Sequence, residues 1–270
     1  MHSRIVTLTT DFGLRDPYVA EMKAVIASIS PETLVIDVTH DVEKFNIQMG
    51  AFILAEAASF FPEETIHLAV VDPGVGGQRK PIVIQTKKGF FVGPDNGLMM
   101  LAAQSQGIQN VHEIRNAHFT LERISNTFHG RDVFAPVAAH LAKRTVTPQQ
   151  LGPKVIKPQT LRFAKITSDG GKLFGEVLYV DGFGNVVTNI SQDNLSQISS
   201  ADFAKIGTVS GLQKLKIVKA YAEVPEGEMA ALVGSHNYLE ITINKGNAAL
   251  KLKMRAGDKI TLQLQQEKLS

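Results

Sequence analysis

The stretch RIVTLTTDFGLRDPYVAEMKAVIASI, residues 4–29, decides the expected fold of the first half of the chain. Its opening run, RIVTLTT, is rich in β-branched residues and predicts a strand that ends at DFG. The following segment, PYVAEMKAVIASI, carries apolar residues at helical spacing. A strand that leads directly into an amphipathic helix is the repeating unit of layered α/β folds.

The same alternation continues to about residue 152. TLVIDVT and TIHLAVVD predict further strands, and NIQMGAFILAEAASFF predicts the helix between them. PIVIQT and GFFVGPDNG predict a hairpin-like strand pair, while LMMLAAQSQG and VFAPVAAHLAKR predict helices. We therefore expect an N-terminal α/β layered domain over residues 1–152, with a largely parallel sheet.

The composition changes where three prolines fall within residues 148–158. Residues 153–164 are predicted to be a linker, because they hold few apolar anchors. From residue 165 to residue 270, short strand patterns alternate with turn signals. This pattern predicts a C-terminal all-β, barrel-like domain.

The bulk composition excludes several classes of protein. A net charge of +2 without a lysine or arginine run gives no electrostatic case for a nucleic-acid partner. The absence of cysteine excludes disulfides and thiolate chemistry. No apolar run approaches the roughly 18 residues of a membrane span, and no signal peptide is apparent at the N-terminus. We expect a cytoplasmic protein without a membrane partner.

Four polar clusters fall where strands should end: TTDFGLRD, VVDPGVGGQRK, GPDNG and TFHGRD. Asp11 and Asp72 each directly follow an apolar strand, so both belong at one edge of the sheet, where open α/β folds bind ligands. Each residue alone fits a cap or a turn equally well. His129 alone fits an exposed loop histidine. Together with a strand-end aspartate and Arg79, however, it forms a plausible acid/base set.

Other chemistries find less support in the sequence. PGVGG matches neither GxGxxG nor a Walker loop, and its glycines favour a tight turn near a ligand. Asp11, Asp72, His67 and His129 lack metal-ligand spacing, and His67 lies in an apolar strand. No GxSxG elbow is present. In YVDGFGNVVTNI and GSHNYLEITINKGNAA, the polar residues fit either hairpin turns or ligand contacts.

Taken together and in order, the motifs TTDFG, VDPGVGG, GPDNG, FHGRDVFAP, DGFGNVVTNI and NYLEI…GNAA resemble the S-adenosylmethionine hydroxide adenosyltransferases, a family similar to the fluorinases and chlorinases. The resemblance covers nearly the whole chain. It implies an α/β domain followed by a β-barrel, and a homotrimer whose active sites lie between neighbouring subunits. It also implies the hydrolysis of S-adenosyl-L-methionine to adenosine and methionine, by water-derived hydroxide that attacks C5′ of the ribose.

The resemblance also implies roles for residues. Asp72, Arg79 and His129 match the set that positions and activates the water, and Asp11 matches the aspartate that holds the ribose hydroxyls. Phe45 matches an aromatic near the ribose. The methionine side is matched by Asp16, Asp181 and Ser235, and the adenine side by Asn185, Tyr221 and the backbone near Ala248. Further expected substrate contacts from the same motifs are Phe12, Asp95, Asn96, Phe128, Gly130, Phe183, His236 and Asn247.

Two departures from the fluorinase pattern bear on the nucleophile. Asp72 stands where fluorinases have a tyrosine, and Gly130 where they have a serine, which counts against a halide pocket. No metal and no cofactor is expected, and adenosine is a candidate to co-purify. Three alternatives stay open: a non-catalytic adenosine or S-adenosylmethionine sensor, a halide-using adenosyltransferase, and a metal-dependent phosphoesterase.

Overall fold

The computed structural model describes residues 4–196, 203–208 and 210–265. The chain divides into two compact units, Met1–Arg162 and Phe163–Ser270. None of the helices within the described ranges is long and apolar enough to cross a bilayer.

The first unit is an α/β layer built on a six-stranded sheet. Its strands are β1 (Ile5–Thr10), β2 (Leu34–Thr39), β3 (Ile66–Val70), β4 (Pro81–Thr86), β5 (Phe90–Pro94) and β6 (Ile108–Glu113), in the spatial order β2-β1-β3-β5-β4-β6. The helices are α1 (Tyr18–Ile29), α2 (Ile47–Ala58), α3 (Met100–Ser105), α4 (Ala135–Ala142) and α5 (Pro148–Leu151). The pairs β1–β2, β1–β3 and β3–β5 are parallel, whereas β4 runs antiparallel to both neighbours. The α/β expectation and the β4–β5 hairpin are confirmed.

The main core of this unit lies between the sheet and two helices. Val6 and Leu8 of β1 are fully buried and share a core cluster with Met22 and Ile26 of α1 and with most of α4. The intervening Thr7 and Thr9 point to the other face of β1, because successive side chains of a strand alternate. Both faces of β1 are therefore buried, so the strand lacks the alternation of buried and exposed residues that marks a half-buried strand.

The second unit is a closed barrel. Its strands are β7 (Thr167–Asp169), β8 (Lys172–Val180), β9 (Val186–Ser191), β10 (Phe203–Thr208), β11 (Gly211–Ile217), β12 (Met229–Val233), β13 (Tyr238–Ile243) and β14 (Lys259–Gln265). The spatial order is β14-β10-β11-β12-β13-β9-β8-β7, and β14 also pairs with β8, which closes seven strands into a ring. Two short helices, α6 (Gln192–Ser196) and α7 (Ala248–Leu252), complete the unit. The barrel expectation is confirmed.

Candidate active site

A cavity of about 450 Å³ opens at the carboxyl edge of the first unit's sheet. Asp11 follows β1, Lys44 and Phe45 follow β2, and Asp72 follows β3, so the parallel strands deliver all four residues to one edge. The lining residues are Asp11, Phe12, Asp16, Tyr18, Lys44, Phe45, Asp72, Val75, Thr127 and Phe128. Asp16, which the resemblance matched to the methionine side, lines this cavity.

Asp11 is held at the cavity wall by the loop that follows β2. It is only 5% exposed, and its Oδ2 accepts a hydrogen bond from the Phe45 backbone N–H at 2.9 Å. Phe45 reaches this position with a φ of 65°, a left-handed conformation that costs a non-glycine residue roughly 1–3 kcal/mol. The Lys44 ammonium donates to the carbonyl oxygen of Asp11. The loop therefore fixes the carboxylate and presents the exposed Phe45 ring beside it.

Asp72, Arg79 and His129 form one hydrogen-bonded chain. Arg79 donates to Asp72 from Nε, at 3.1 Å to Oδ1 and 2.9 Å to Oδ2, and from Nη2, at 2.5 Å to Oδ2. The same Nη2 lies 2.8 Å from Nδ1 of His129. The Asp72 and Arg79 side chains are 4% and 10% exposed, so this ion pair is largely removed from water. The guanidinium also lies 5.2 Å above the centre of the Phe134 ring.

The contact with Arg79 determines the protonation of His129. A guanidinium has only donors, so Nδ1 of His129 must accept, and the single ring proton sits on Nε2. Burial, together with the positive charge of Arg79, lowers the pKa of His129 below its ordinary value of 6.5. His129 is therefore held neutral near pH 7, and its Nε2–H can donate a hydrogen bond to a ligand.

The rest of the TFHGRD segment supports this arrangement. Arg131 pairs with Asp132 at 2.6 Å and with Glu21 at 2.9 Å, and Asp132 accepts from the Ser125 backbone N–H. Burial opposes ionisation of Asp132, but the Arg131 and Ser125 hydrogen bonds outweigh it and lower the carboxyl pKa. Gly130 begins a single π-helical turn, Gly130–Phe134, that runs into α4. The turn therefore anchors the segment from which His129 projects.

Aromatic rings form one wall of the cavity. Phe12, Tyr18 and Phe128 pack edge to face, with ring centroids 5.1–5.9 Å apart. Gly130 lies behind them, and a Cβ placed there would be 3.1 Å from the Phe128 ring. Such geometry favours a flat or apolar part of a ligand.

The second unit has a cavity of its own, of about 830 Å³. It is lined by Tyr179, Asp181, Phe183, Asn185, Tyr221, Ser235, His236, Glu240, Thr242, Ile243, Lys245, Gly246 and Asn247. Asn185 is buried between two partners: its Nδ2 donates to Asp181 at 2.8 Å and its Oδ1 accepts from Thr242 at 2.6 Å. Tyr221 donates to Glu240 at 2.9 Å. Burial and this contact raise the pKa of Tyr221 to about 12, which keeps the phenol protonated.

Most residues expected from the sequence line one of the two cavities, but several do not. Arg79 and His129 are absent from the lining of the first cavity and connect to it through the lining residue Asp72, and Gly130 lies behind the lining residue Phe128. Asp95 is buried and accepts from the Gln159 backbone N–H, and burial raises its pKa. Asn96 donates to the carbonyl oxygen of Val71 and does not line the cavity. Ala248 is buried as the first residue of α7, next to the lining residue Asn247.

Sequence reasoning missed several lining residues. Tyr18 lies two residues after the expected Asp16, and Lys44 directly precedes the expected Phe45, so proximity to an expected residue was the available signal. Glu240 lies inside the apolar strand β13, where an isolated acidic residue was a signal in itself. The described residues contain no group of three or more His, Asp or Glu side chains arranged to hold a metal ion.

Comparison with known proteins gives consistent matches along the chain. Residues 6–152 match the model of the SAM hydroxide adenosyltransferase N-terminal domain, and residues 175–261 match that of the C-terminal domain. The (R)-S-adenosyl-L-methionine hydrolase of Methanocaldococcus jannaschii is 35% identical, over 96% of this chain and 95% of that protein. Its namesake from Salinispora tropica is 38% identical, over 94% and 96%. The fluorinase of Actinopolyspora mzabensis is 26% identical, over 94% and 95%.

A solved structure is also similar. A conserved protein of Thermotoga maritima, described as uncharacterized, superposes with a TM-score of 0.90 and 39% sequence identity, over 96% of this chain and 99% of that one.

Proposed function

Because the chain belongs to the S-adenosylmethionine hydroxide adenosyltransferase family, we propose that it hydrolyses S-adenosyl-L-methionine to adenosine and L-methionine by attack of water at C5′ of the ribose. The observation that carries this proposal is the partly buried Asp72–Arg79–His129 chain beside the Asp11 carboxylate. A non-catalytic sensor would not need such a chain.

The leaving group of this reaction needs no catalytic assistance from the protein. As the water oxygen bonds to C5′, the C5′–S bond breaks and its electron pair stays on sulfur, so methionine departs as a neutral thioether. No acid is needed to protonate it. The demands on the protein are therefore an oriented water and a place for its proton, in a site that keeps other water out.

Asp72 is the proposed acceptor of that proton. Its carboxylate retains lone pairs beyond those that Arg79 occupies, and the oxygen that has attacked C5′ becomes strongly acidic as the bond forms. His129 is assigned a different task. Because Arg79 occupies its Nδ1, the ring offers Nε2–H as a donor that orients the water. General-base assistance of this kind contributes about 10²–10⁴-fold.

Asp11 is proposed to accept hydrogen bonds from the ribose hydroxyls. One of its oxygens already accepts from Phe45 N–H, and the remaining lone pairs are available to a diol. The cavity of the second unit is proposed to hold the adenine and the amino-acid end. Asp181, Asn185, Tyr221 and Ser235 line it, in keeping with the family motifs. No metal or cofactor is part of this scheme, so EDTA should leave turnover unchanged.

We propose a homotrimer in which one subunit's first unit and its neighbour's second unit complete each site. The expected contacts fall into two groups, one in each unit, which supports a composite site. Light scattering should give the mass of three chains. Co-assembled Asp72→Ala and Asn185→Ala subunits should recover part of the activity that each homogeneous variant lacks; no recovery would contradict a shared site.

The expected cytoplasmic location stays a prediction, which imaging of a tagged chain would test.

The defining experiment is incubation of the purified protein with S-adenosyl-L-methionine in ¹⁸O-labelled water, with and without chloride and EDTA. Adenosine that carries the label, together with methionine, is the expected result. Asp72→Ala should lose at least about 100-fold in turnover and keep nucleoside binding. A chlorinated nucleoside would favour the halide-using alternative, and bound nucleoside without turnover would favour a sensor.

A further inference from the structure

His40 is a buried histidine directly after β2 that the proposed reaction does not use. It is 4% exposed and lies outside the lining of the first unit's cavity. Its Nδ1 lies 2.8 Å from Oγ1 of Thr10, the last residue of β1. Thr10 is fully buried and directly precedes Asp11. Because buried polar groups depend on partners within the protein, this pair fixes both side chains next to the proposed diol acceptor.

The Thr10 hydroxyl connects His40 to the backbone of the Asp11 segment. Its oxygen accepts a hydrogen bond from the Phe12 N–H at 3.2 Å, so the hydroxyl proton is free to donate to Nδ1 of His40. A neutral ring then carries its proton on Nε2, which faces Oδ1 of Asp37 at 3.1 Å, although off the line of a hydrogen bond. Asp11 is therefore flanked by two residues, Thr10 and Phe12, whose positions both depend on this hydrogen-bonded chain.

His40 is also the first residue of the loop whose Phe45 N–H bonds the Asp11 carboxylate. Its own carbonyl oxygen accepts a hydrogen bond from the Gly13 N–H at 2.7 Å, just beyond Asp11. The loop thus contacts the Asp11 segment at His40 through side chain and backbone, and at Phe45 through the carboxylate. A displacement of His40 would therefore move the start of the loop that fixes Asp11.

The pairing of β1 with β2 places His40 beside Thr10. The two strands pair residue by residue as far as Asp37, and one extra residue, Val38, then shifts the register. An inserted residue of this kind redirects the side chains that follow it. Without the shift, Thr39 and not His40 would lie level with Thr10. The contact between the two side chains is therefore a product of this bulge.

We propose that His40 is a positioning residue, which acts through the Thr10 hydroxyl to hold Asp11 in the orientation that accepts the ribose diol. The proposal rests on the proposed function, because it takes Asp11 as the diol acceptor. A carboxylate that accepts hydrogen bonds from two hydroxyls at once tolerates little rotation, since hydrogen bonds weaken steeply away from their preferred angles. His40 itself touches no ligand in this scheme.

Calorimetric binding of two nucleosides tests the proposal. Adenosine carries the diol, whereas 2′,3′-dideoxyadenosine has the same base and lacks both hydroxyls. Thr10→Val removes the hydroxyl and keeps the shape of the side chain. It should weaken adenosine binding at least about fivefold, the lower end of the range for a buried group left without its hydrogen bond, and leave the dideoxy probe within about twofold. Thr10→Ser keeps the hydroxyl and should bind adenosine within about twofold of wild type, while His40→Leu should act like Thr10→Val.

Strand β1 carries a second buried threonine–histidine pair that serves as the matched control. Thr7 Oγ1 lies 2.9 Å from Nδ1 of His67, and both residues are buried. Thr7 precedes Thr10 by roughly 10 Å along the strand and is correspondingly farther from Asp11. Thr7→Val should also lower the urea unfolding midpoint, but it should leave both nucleoside affinities within about twofold. The comparison separates a loss of stability from a loss of positioning.

A double-mutant cycle identifies the route of the effect. In an Asp11→Ala background, Thr10→Val should change adenosine affinity by less than about twofold, because the carboxylate that Thr10 positions is gone. Equal losses for both nucleosides, a loss that persists without Asp11, or an unchanged adenosine affinity in Thr10→Val would each overturn the proposal. Adenosine binding does not depend on turnover, so a wild-type protein that binds adenosine without hydrolysing S-adenosyl-L-methionine would count against the proposed function alone.

Discussion

Replacement of Arg79 by lysine tests whether the geometry of the guanidinium, and not only its charge, supports catalysis. Arg79 uses two nitrogens on Asp72 and shares one of them with His129. A lysine ammonium is a compact point charge on a shorter side chain, and it cannot span both partners as the planar guanidinium does. The two-nitrogen contact with Asp72 and the bond to His129 are therefore lost, while the ammonium can still donate to Asp72.

The retained charge limits the effect on stability. Complete removal of one partner from a buried ion pair costs about 3–5 kcal/mol, so a lysine that still neutralises Asp72 should cost about 1–2 kcal/mol. Turnover should decrease more than stability does, because Asp72 and His129 are no longer positioned by one shared guanidinium. A displacement of about 1 Å can reduce a rate about 100-fold. We expect kcat to fall about 100-fold with KM within about threefold.

Arg4→Lys is the matched control. Arg4 also pairs with a carboxylate, Glu64 at 2.7 Å, lies 5.6 Å above the Phe90 ring, and is 12% exposed against 10% for Arg79. Because its partner Glu64 is 51% exposed against 4% for Asp72, Arg4→Lys should lower the urea unfolding midpoint by no more than Arg79→Lys does, and it should leave kcat within about twofold. Steady-state kinetics at saturating substrate, paired with urea unfolding, separate the two effects. A kcat for Arg79→Lys within threefold of wild type would refute the assigned geometry.

Three further predictions concern binding, acid stability and packing. Asp11→Ala should weaken adenosine binding by at least about tenfold in calorimetry, since it removes the proposed diol acceptor; unchanged affinity would exclude Asp11 from the site. His67 is buried, which lowers its pKa from 6.5 to about 4, so only the unfolded chain takes up its proton in that range. Stability should therefore fall by at most about 3 kcal/mol as the pH drops from 6.5 to 4, and urea titrations of His67→Gln should show a shallower fall. Gly130→Ala adds a Cβ 3.1 Å from the Phe128 ring and 3.3 Å from Met22 Sδ. The overpacking costs about 1–3 kcal/mol and should outweigh the gain in helix propensity of about 0.5–1 kcal/mol, so the melting temperature should fall. A raised melting temperature would contradict the packing argument.

The alternation of the N-terminal half was predictable because each strand and helix there buries its own apolar face locally. The sequence could also indicate many short strands after residue 165, but not how the barrel closes. The pairing of β14 with β8 joins residues 83 to 91 positions apart, from Lys259 with Glu176 to Gln263 with Lys172, and no local pattern encodes such a partner.

The candidate site was predictable to the extent that strand ends and motifs determine it. Asp11 and Asp72 followed from the rule that ligands meet the carboxyl edge of a parallel sheet. The protonation of His129 was not accessible, because it depends on which ring nitrogen faces Arg79. The role of Asp181 could not be predicted either, because its carboxylate accepts hydrogen bonds from backbone N–H groups of its own turn. The family resemblance is confirmed by the matches over both domains.

The closing strand of the barrel has a practical consequence for handling the protein. β14 is bonded to β10 on one side and to β8 on the other, so its seven residues cover two sheet edges at once. A chain shortened before Lys259 would present both edges as open templates for intermolecular pairing. Recombinant work should therefore treat residues 259–265 as part of the barrel wall and place affinity tags beyond them, because trimming here exchanges a closed ring for an aggregation-prone open sheet.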